Sequence, residues 1–246
     1  MSLSQYYQKI YNYLCGNSTN CRPWHFQWHS LRDLNHWQKE RLWNLNGKIL
    51  DVGCGEKPYE LWLDPKKIEK YVGIDVISAK GLDYLVKPRD KWPLEDNSFD
   101  CVMMTQSLEH FEDELNTLNE TLRVLKPNGK LLITIPFLLQ QHGAPYDFRR
   151  YTIFGLKNLL EKNYNILEIS PQGKVGAVLS MLFLTSIENT LNSRFIYRIL
   201  KGILLPFWLL FSLIINIIGV FLNLTDLGLQ HYCQVCIIAT KKEINA

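Results

Sequence analysis

Two acidic residues and two glycines give the first indication of chemistry in this sequence. The segment Asp51-Val52-Gly53-Cys54-Gly55 follows a short apolar run, and Asp75 ends the next one, 24 residues after Asp51. Glycines in such a turn let the backbone come close to a ligand. An acid at the end of the following strand is placed to accept hydrogen bonds from a ribose diol. The spacing therefore predicts a site for a ligand that contains a ribose.

The residues after this turn argue against a dinucleotide. A dinucleotide site wants a third glycine, and Pro58 stands in its place. A carboxylate at Asp51 would repel a pyrophosphate but suits a ligand that carries an ammonium and a sulfonium group. An NAD-dependent or nucleotide-sugar oxidoreductase is a rival interpretation, yet its Tyr-x-x-x-Lys pair occurs only at Tyr197 and Lys201, beside an apolar segment. A non-catalytic domain with this fold is a further rival, which the intact acids and glycines disfavour.

A second group of residues, 140–151, is the candidate for binding the substrate that reacts with this ligand. His142 could act as a general base, because imidazole exchanges protons near neutral pH. Tyr146 and Arg150 are candidates for substrate contacts. The structural alternative is that His142 and Asp147 cap a loop and that Arg150 pairs with a local carboxylate. His110, in Leu-Glu-His, is either a further substrate contact or a packed residue at the start of a helix.

Strand-like and helix-like segments alternate from Gly47 onward, and these elements must position both groups. An amphipathic helix is predicted over Glu112–Leu125, a turn at Pro127–Gly129, and a helix capped by Thr152. Alternation of this kind predicts a mainly parallel sheet with helices on both faces and ligands at the carboxyl ends of the strands. The predicted strands are Lys48–Val52, Tyr71–Val76, Asp83–Val86, Asp100–Thr105, Lys130–Pro136, Tyr164–Pro171 and Tyr232–Thr240.

Four motifs in this region resemble the class I S-adenosylmethionine-dependent methyltransferases of the type 11 group. They are ILDVGCG, YVGIDV, WPLEDNSFDCVMMTQSLEHF and LRVLKPNGKLLITIPF, in the order and spacing of that family. The resemblance implies an α/β, Rossmann-like, seven-stranded sheet, mostly parallel with an antiparallel last strand. It also implies S-adenosylmethionine as the cofactor, with the methionine part along the glycine turn and the ribose on the second acid. The cofactor-binding residues expected on this basis are Asp51, Gly53, Cys54, Gly55, Asp75, Val76 and Gln106.

Two further stretches bear on that resemblance. The family usually has an acid near the adenine, shortly before the proline of its Leu-Pro-Phe motif, and Asp90 is the candidate for it here in an uncertain register. The stretch from His142 to Thr152 resembles an H-x-x-P-x-D-x-x-R-Y-T pattern of a subset of bacterial methyltransferases. Many of these are encoded with glycan and cell-surface genes, which implies an acceptor of that kind.

Composition excludes several other classes of protein. The 246 residues suffice for one buried domain with additions, and the net charge of +3, without a basic-aromatic run, does not favour nucleic acid as a partner. Cys233 and Cys236 form a CxxC without a second pair, so we expect free thiols and no metal site. The segment Met1–Leu14 lacks the apolar core of a signal peptide, which predicts a cytoplasmic location.

An apolar insert precedes the last predicted strand. Gly202–Thr225 carries no charge, and Ile203–Leu222 is long enough to span about 30 Å of hydrocarbon as a helix. Arg194, Arg198 and Lys201 place a basic face before it, a pattern typical of helices at a membrane surface. The alternative is a hairpin that packs on its own domain or on a second subunit. Because the last strand must return to the sheet, we expect no odd number of membrane crossings.

These observations predict four segments. They are a helical cap or lid (1–46), the methyltransferase core (47–171), the apolar insert (172–231), and the last strand with a tail (232–246). In the cap, Trp24, His25, Trp28 and His29 recur at helical spacing, and we expect most of them to cover the sheet. The predicted acceptor is a small molecule or a lipid-linked glycan, reached by an enzyme that is peripheral or monotopic at the membrane. The alternative is a soluble small-molecule methyltransferase whose insert forms a homodimer.

Overall fold

A computed structural model of the chain describes residues 3–228 and 230–243, with the side chains of residues 3–5 left out. The ends of the expected cap and tail, and Leu229 of the expected insert, lie outside the described residues. The chain forms two compact units. A helical unit comprises Met1–Trp37, Leu138–Gln140 and Gln172–Cys233, and a sheet unit comprises Gln38–Phe137, Gln141–Pro171 and Gln234–Ala246.

Seven strands form a single sheet in the order β3-β2-β1-β4-β5-β7-β6. The first five strands pair in parallel, and β7 pairs antiparallel with β5. The expected α/β, Rossmann-like sheet with an antiparallel last strand is therefore confirmed. The strands are β1 (Gly47–Val52), β2 (Ile68–Asp75), β3 (Tyr84–Leu85), β4 (Phe99–Thr105), β5 (Leu125–Pro136), β6 (Tyr164–Gln172) and β7 (Gln234–Lys241).

Within the described residues, seven α-helices accompany the strands. Two of the predicted helix starts have side-chain caps: Asp113 accepts a hydrogen bond from the Asn116 N–H, and Thr152 accepts one from the Gly155 N–H. Such caps satisfy backbone donors that have no partner in the first turn. The helices are α1 (Leu3–Cys15), α2 (Trp28–Trp43), α3 (Glu114–Val124), α4 (Ile153–Leu160), α5 (Val175–Ser193), α6 (Phe195–Ile203) and α7 (Leu205–Leu222).

Several element ends differ from the prediction by a few residues, and two elements differ in kind. Strand β5 begins at Leu125, ahead of the predicted turn Pro127–Gly129, and the ladder to β4 shifts register there, with Asn128 at a φ of 60°. The turn is thus a bulge within the strand. The helix does not begin at Ile203 as predicted: α6 ends at Ile203, and a separate helix α7 starts at Leu205 with Pro206 in its first turn. Proline lacks an N–H and is tolerated only at that end of a helix.

The helical unit is built around close contact between α5 and α7. A Cβ on Gly176 would lie 1.8 Å from the carbonyl oxygen of Gly219, so both glycines let the helix backbones touch. His29 joins this contact: its Nδ1 lies 3.3 Å from the Ser180 hydroxyl and its Nε2 2.9 Å from the Asn223 amide. His29 is therefore a packed residue of this unit, bonded through both ring nitrogens to residues of the insert.

Lys201 corrects the prediction of a basic face on α6. Its side chain is buried and forms an ion pair with the equally buried Glu188 of α5. Arg194 and Arg198 are exposed, as predicted. The helical spacing of the three cations was right, but the neighbouring helix supplies a buried acid that turns Lys201 inward, since a buried cation needs a partner.

Helix α7 is the candidate membrane segment among the described residues. Leu205–Thr225 has a mean hydropathy of 2.4, and 28% of its most apolar window is buried. Length and composition alone are weak grounds for a membrane span, because buried helices of soluble proteins can meet the same test. The paired strand β7 lies beyond this helix in the sequence.

Candidate active site

Asp51 lies next to the carboxyl end of the central strand β1 and is fully buried. The Tyr71 hydroxyl donates to its Oδ2 at 2.5 Å, whereas its Oδ1 has no hydrogen-bond partner among the described residues. Burial raises the pKa of Asp51 to about 7; the Tyr71 hydrogen bond and Lys57 oppose that rise, and Asp75 adds to it. A buried carboxylate oxygen without a donor is a ready acceptor for a cationic ligand group.

The turn after β1 leaves room for a ligand beside its backbone. Gly53 has a φ of 74°, and a Cβ there would lie 2.6 Å from the Ser107 Cβ, so a larger residue does not fit. Gly55 has a φ of 51° and opens into free space. Cys54 turns its sulfur toward Gly73 of β2 and is buried, which raises the pKa of its thiol to about 12. Only the backbone of Cys54 can therefore face a ligand.

Asp75 lies at the end of β2 with its carboxylate held by backbone. Its Oδ2 accepts the Gly55 N–H at 2.9 Å and its Oδ1 accepts the Ile77 N–H at 3.0 Å. Each oxygen keeps a lone pair for a diol. Asp75 and Gly53 also line a narrow cleft in the sheet unit together with Val52, Ile74, Val76, Val86, Lys87, Pro88, Arg89, Trp92, Phe111, Asn116 and Thr117. These are residues expected of a nucleoside site, and we call the opening that they line the nucleoside cleft.

Two other predicted cofactor residues are placed differently. Gln106 follows β4 at a φ of 53°, and its backbone N–H donates to the Thr134 carbonyl at 2.9 Å. Its side-chain amide donates to the Thr134 hydroxyl, so Gln106 is held at the carboxyl ends of β4 and β5. Asp90 is exposed and is not among the residues that line the nucleoside cleft. The adenine role suggested for Asp90 stays a prediction.

The segment after β5 brings His142 against the end of β4. The His142 Nε2 lies 3.6 Å from the Glu109 Oε1, and the His110 and His142 rings meet edge to face at 4.9 Å. The carboxylate of Glu109 raises the pKa of His142, while burial opposes that rise. His142 and His110, predicted as base and substrate contact, therefore lie side by side in the sheet unit.

Asp147 and Arg150 support this loop. Arg150 donates to both oxygens of Asp147, at 2.5 and 2.8 Å, and holds the pKa of that carboxyl at about 2. Asp147 also accepts the His142 N–H at 2.9 Å. Asp147 thus caps the loop and Arg150 pairs with a local carboxylate, which is the structural alternative given above for these two residues. Tyr146 offers its carbonyl to His110 and leaves its side chain exposed. The substrate roles of Tyr146 and Arg150 stay predictions.

Glu109 and Tyr59 belong to this site but were not identified from the sequence. Glu109 is fully buried, and its Oε1 lies 3.7 Å from the His110 Nε2 and 3.6 Å from the His142 Nε2. Burial first, and then the charges of Asp51 and Glu109, raise the pKa of Tyr59 to about 12. The Tyr59 hydroxyl therefore interacts electrostatically both with Asp51, a predicted cofactor residue, and with Glu109, which lies beside His142. The signal for Glu109 was its place in Leu-Glu-His, where only the histidine was considered.

The sheet order is that of the class I methyltransferase fold, and the buried acid and the glycine turn lie at the end of β1, where the cofactor site is predicted. Residues 50–133 match the methyltransferase domain family of the type 11 group, and this segment of the chain is a methyltransferase domain. The cofactor is S-adenosylmethionine. The unpartnered oxygen of Asp51, the open space at Gly55 and the held carboxylate of Asp75 fit its charged and ribose parts.

Curated relatives share only part of their length with this chain. A glycine/sarcosine/dimethylglycine N-methyltransferase from Actinopolyspora halophila is 33% identical over 46% of this chain and 26% of its own length. The ubiquinone/menaquinone biosynthesis C-methyltransferase UbiE of Rickettsia prowazekii is 26% identical over 51% of this chain and 62% of its own. These relatives share the methyltransferase domain with this chain, but their names give different acceptors.

Solved structures with this fold include proteins of different activities. The cyclase SpnF aligns with a TM-score of 0.55 and 21% identity over 86% of this chain and 81% of its own. A methyltransferase in complex with the Trm112 activator of Haloferax volcanii aligns with a TM-score of 0.54 and 14% identity, over 89% and 91%. At these identities the likeness shows the fold alone.

Proposed function

We propose that this protein transfers a methyl group from S-adenosylmethionine to a lipid-soluble acceptor, such as a lipid-linked glycan, at a membrane surface. The cofactor supplies an electrophilic methyl group on a sulfonium centre. Asp51, the Gly53–Gly55 turn and Asp75 bind and orient it, while His110, His142, Tyr146 and Arg150 are the candidates for holding the acceptor. Positioning and exclusion of water account for most of such catalysis.

The observation that carries the membrane part is the apolar surface of α6 and α7. Large apolar side chains are exposed along both helices, among them Phe195, Ile196, Ile203, Phe207, Ile214, Ile218 and Phe221. So many large apolar side chains on two consecutive helices rarely stay exposed to water. The exposed cations Arg194 and Arg198 stand at the start of α6, where they can pair with anionic headgroups. A lipid surface satisfies both features.

Flotation with vesicles tests the membrane part. The full chain should float with vesicles that contain anionic lipid, and less so with neutral vesicles or in high salt. The double variant Phe207→Asp, Phe221→Asp should stay in the aqueous fraction, whereas Phe154→Asp, an equally exposed apolar position on α4, should float like the wild type. If the wild type stays in the aqueous fraction as a dimer that the double variant dissociates, the surface is a subunit interface and the membrane proposal is wrong.

Transfer of label tests the acceptor class. The full chain is incubated with S-adenosylmethionine labelled on its methyl group and with either a total membrane lipid extract or the aqueous metabolite fraction. Label should appear in material that partitions into organic solvent. Label found only in the aqueous fraction would show that the acceptor is water-soluble, and the proposal of a lipid-soluble acceptor would be wrong.

A further inference from the structure

Three potential metal ligands meet beside the predicted acceptor loop. Glu109 and His110 lie in the short helical turn Leu108–His110 after β4, and His142 lies after β5. The Glu109 Oε1 is 3.7 Å from the His110 Nε2 and 3.6 Å from the His142 Nε2. One donor atom from each of the three residues lies within 4.8 Å of the other two. The sequence did not indicate this cluster, because its residues come from two separate loops.

The buried carboxylate of Glu109 lacks a donor. It is fully buried, and neither of its oxygens has a hydrogen-bond partner among the described residues. A charged carboxylate in that position is costly unless a cation or a proton compensates it. The groups that face it closely are the two imidazole Nε2 atoms.

The other ring nitrogen of each histidine is already engaged. The His110 Nδ1 lies 2.5 Å from the Tyr146 carbonyl oxygen, so Nδ1 carries the proton and donates it. The His110 Nε2 then presents a lone pair toward the carboxylate. The His142 Nδ1 lies 3.4 Å from the Asp147 Oδ2 and 3.4 Å from the Arg150 Nη2. A metal on Nε2 requires the tautomer in which Nδ1 donates to Asp147. Metal-ligating histidines characteristically direct their second nitrogen to a carbonyl or a carboxylate in this way.

We propose that Glu109, His110 and His142 bind a divalent transition-metal ion, with zinc as the best match to two imidazoles and one carboxylate. Bonds of about 2.1 Å in a tetrahedral site separate neighbouring ligand atoms by roughly 3.4 Å. The observed distances of 3.6 and 3.7 Å are close to that spacing. Three protein ligands leave a fourth position open, as in catalytic rather than structural zinc sites.

The open position has a role that rests on the proposed function. A bound ion would lower the pKa of an acceptor hydroxyl at that position and stabilise its oxygen anion, with the proton going to solvent. On this proposal an oxygen of the acceptor is the atom that is methylated, and His142 is a metal ligand in place of a base.

Titration of the chelator-treated full chain with Zn²⁺, Mn²⁺ and Mg²⁺ tests the site without activity. Calorimetry should show one Zn²⁺ bound per chain, Mn²⁺ bound more weakly, and no Mg²⁺. Co²⁺ should give the strong visible absorption of a tetrahedral complex. Glu109→Gln, His110→Gln and His142→Gln should each lose the absorption, and Asp147→Asn should weaken Zn²⁺ binding roughly 10- to 100-fold. His36→Gln, an exposed histidine outside the cluster, should behave as the wild type.

Binding of S-adenosylmethionine by the same samples separates the two proposals. Each variant should keep its cofactor affinity, which also shows that it has folded. A wild-type chain that binds the cofactor but neither Zn²⁺ nor Co²⁺ would overturn the metal site and leave the methyltransferase in place. Cobalt absorption that survives in both histidine variants would overturn it as well, because the ion would then sit elsewhere. A chain that binds metal but no cofactor would instead reject the proposed function.

Discussion

Two aspartates at neighbouring strand ends have opposite environments, and this sets their separate tasks. Asp75 accepts two backbone N–H groups, and each of its oxygens keeps a lone pair for a neutral diol. Asp51 is fully buried with one oxygen unpartnered, which favours a proton in the absence of a cation. One acid is therefore ready for the ribose before the ligand arrives, and the other gains its partner from the ligand.

Replacement of Asp75 should weaken cofactor binding. Asp75→Ala removes charge-assisted hydrogen bonds to the ribose and should cost about 1–3 kcal/mol, which is roughly 5- to 150-fold in Kd by calorimetry. Asp90→Ala is the matched control, because that acid is exposed and away from the nucleoside cleft. An unchanged Kd in Asp75→Ala would remove the ribose contact, and a comparable loss in Asp90→Ala would assign the adenine contact to Asp90.

Cofactor affinity should depend on pH through Asp51. Its pKa of about 7, raised by burial, means that the cofactor-free site holds a proton below that pH. A cationic ligand needs the carboxylate, so affinity should rise up to about tenfold per pH unit below about pH 7 and then level off. The titratable groups that interact with Asp51 are Tyr71, Asp75, Lys57, Tyr59 and Cys54. Asp51→Asn should flatten the profile after correction for titration of the ligand, and an equally steep profile in that variant would assign the effect to another group.

At the scale of elements, the helical unit combines close backbone packing with one buried ion pair. Gly176 and Gly219 let α5 and α7 touch, and Glu188 of α5 pairs with Lys201 of α6. The Lys201 ammonium also lies 4.7 Å from the centre of the Tyr7 ring on α1. Four helices are thus fixed to one another by contacts that leave the apolar side chains of α6 and α7 facing outward.

Replacing one partner of the buried ion pair should destabilise the protein far more than replacing both partners. Lys201→Met leaves the buried Glu188 without its cation and should cost about 3–5 kcal/mol. The double variant Lys201→Met, Glu188→Leu should recover most of that loss, since no charge then stays buried. Unfolding in urea measures both, and Lys48→Met, which breaks an exposed pair with Glu69, should change stability by about 0.5 kcal/mol or less. A single variant as stable as the wild type would show that the pair is solvated in solution.

At the scale of the whole molecule, the sheet restricts how the chain can meet a membrane. Strand β7 follows α7 in the sequence and pairs with β5 from Lys130↔Thr240 to Pro136↔Gln234. Strands β1, β4 and β5 come before α7 and lie in the same sheet. A single crossing by α7 would place β7 across the bilayer from its partner, so α7 should lie along the interface or dip into it and return.

Protease access in sealed vesicles measures this topology. With the sheet unit exposed to protease, a tag placed after residue 246 should be digested together with residues 47–136, because both lie on one side. Lysis of the vesicles with detergent should change nothing further. A protected tag beside a digested sheet unit would show an odd number of crossings, and it would contradict the pairing of β7 with β5.

The sequence by itself determined the sheet and the strand ends at which the predicted cofactor residues stand. Apolar periodicity indicates which residues form strands, and the Asp51–Gly55 turn and Asp75 fall where two of those strands end. The bulge at Asn128 and the break at Leu204 follow from single residues, yet their effect depends on the ladder and helix packing around them.

Only the tertiary structure decided which distant side chains meet. Glu109, His110 and His142 come together because β4 and β5 are neighbours, and the loops that follow them converge at one edge of the sheet. Sequence spacing gives no distance between two such loops. The same holds for Lys201: helical periodicity assigns it to a face of α6, but the acid on α5 decides that this face is buried. Local pattern fixes elements, and packing between elements fixes the partners on which charge and coordination depend.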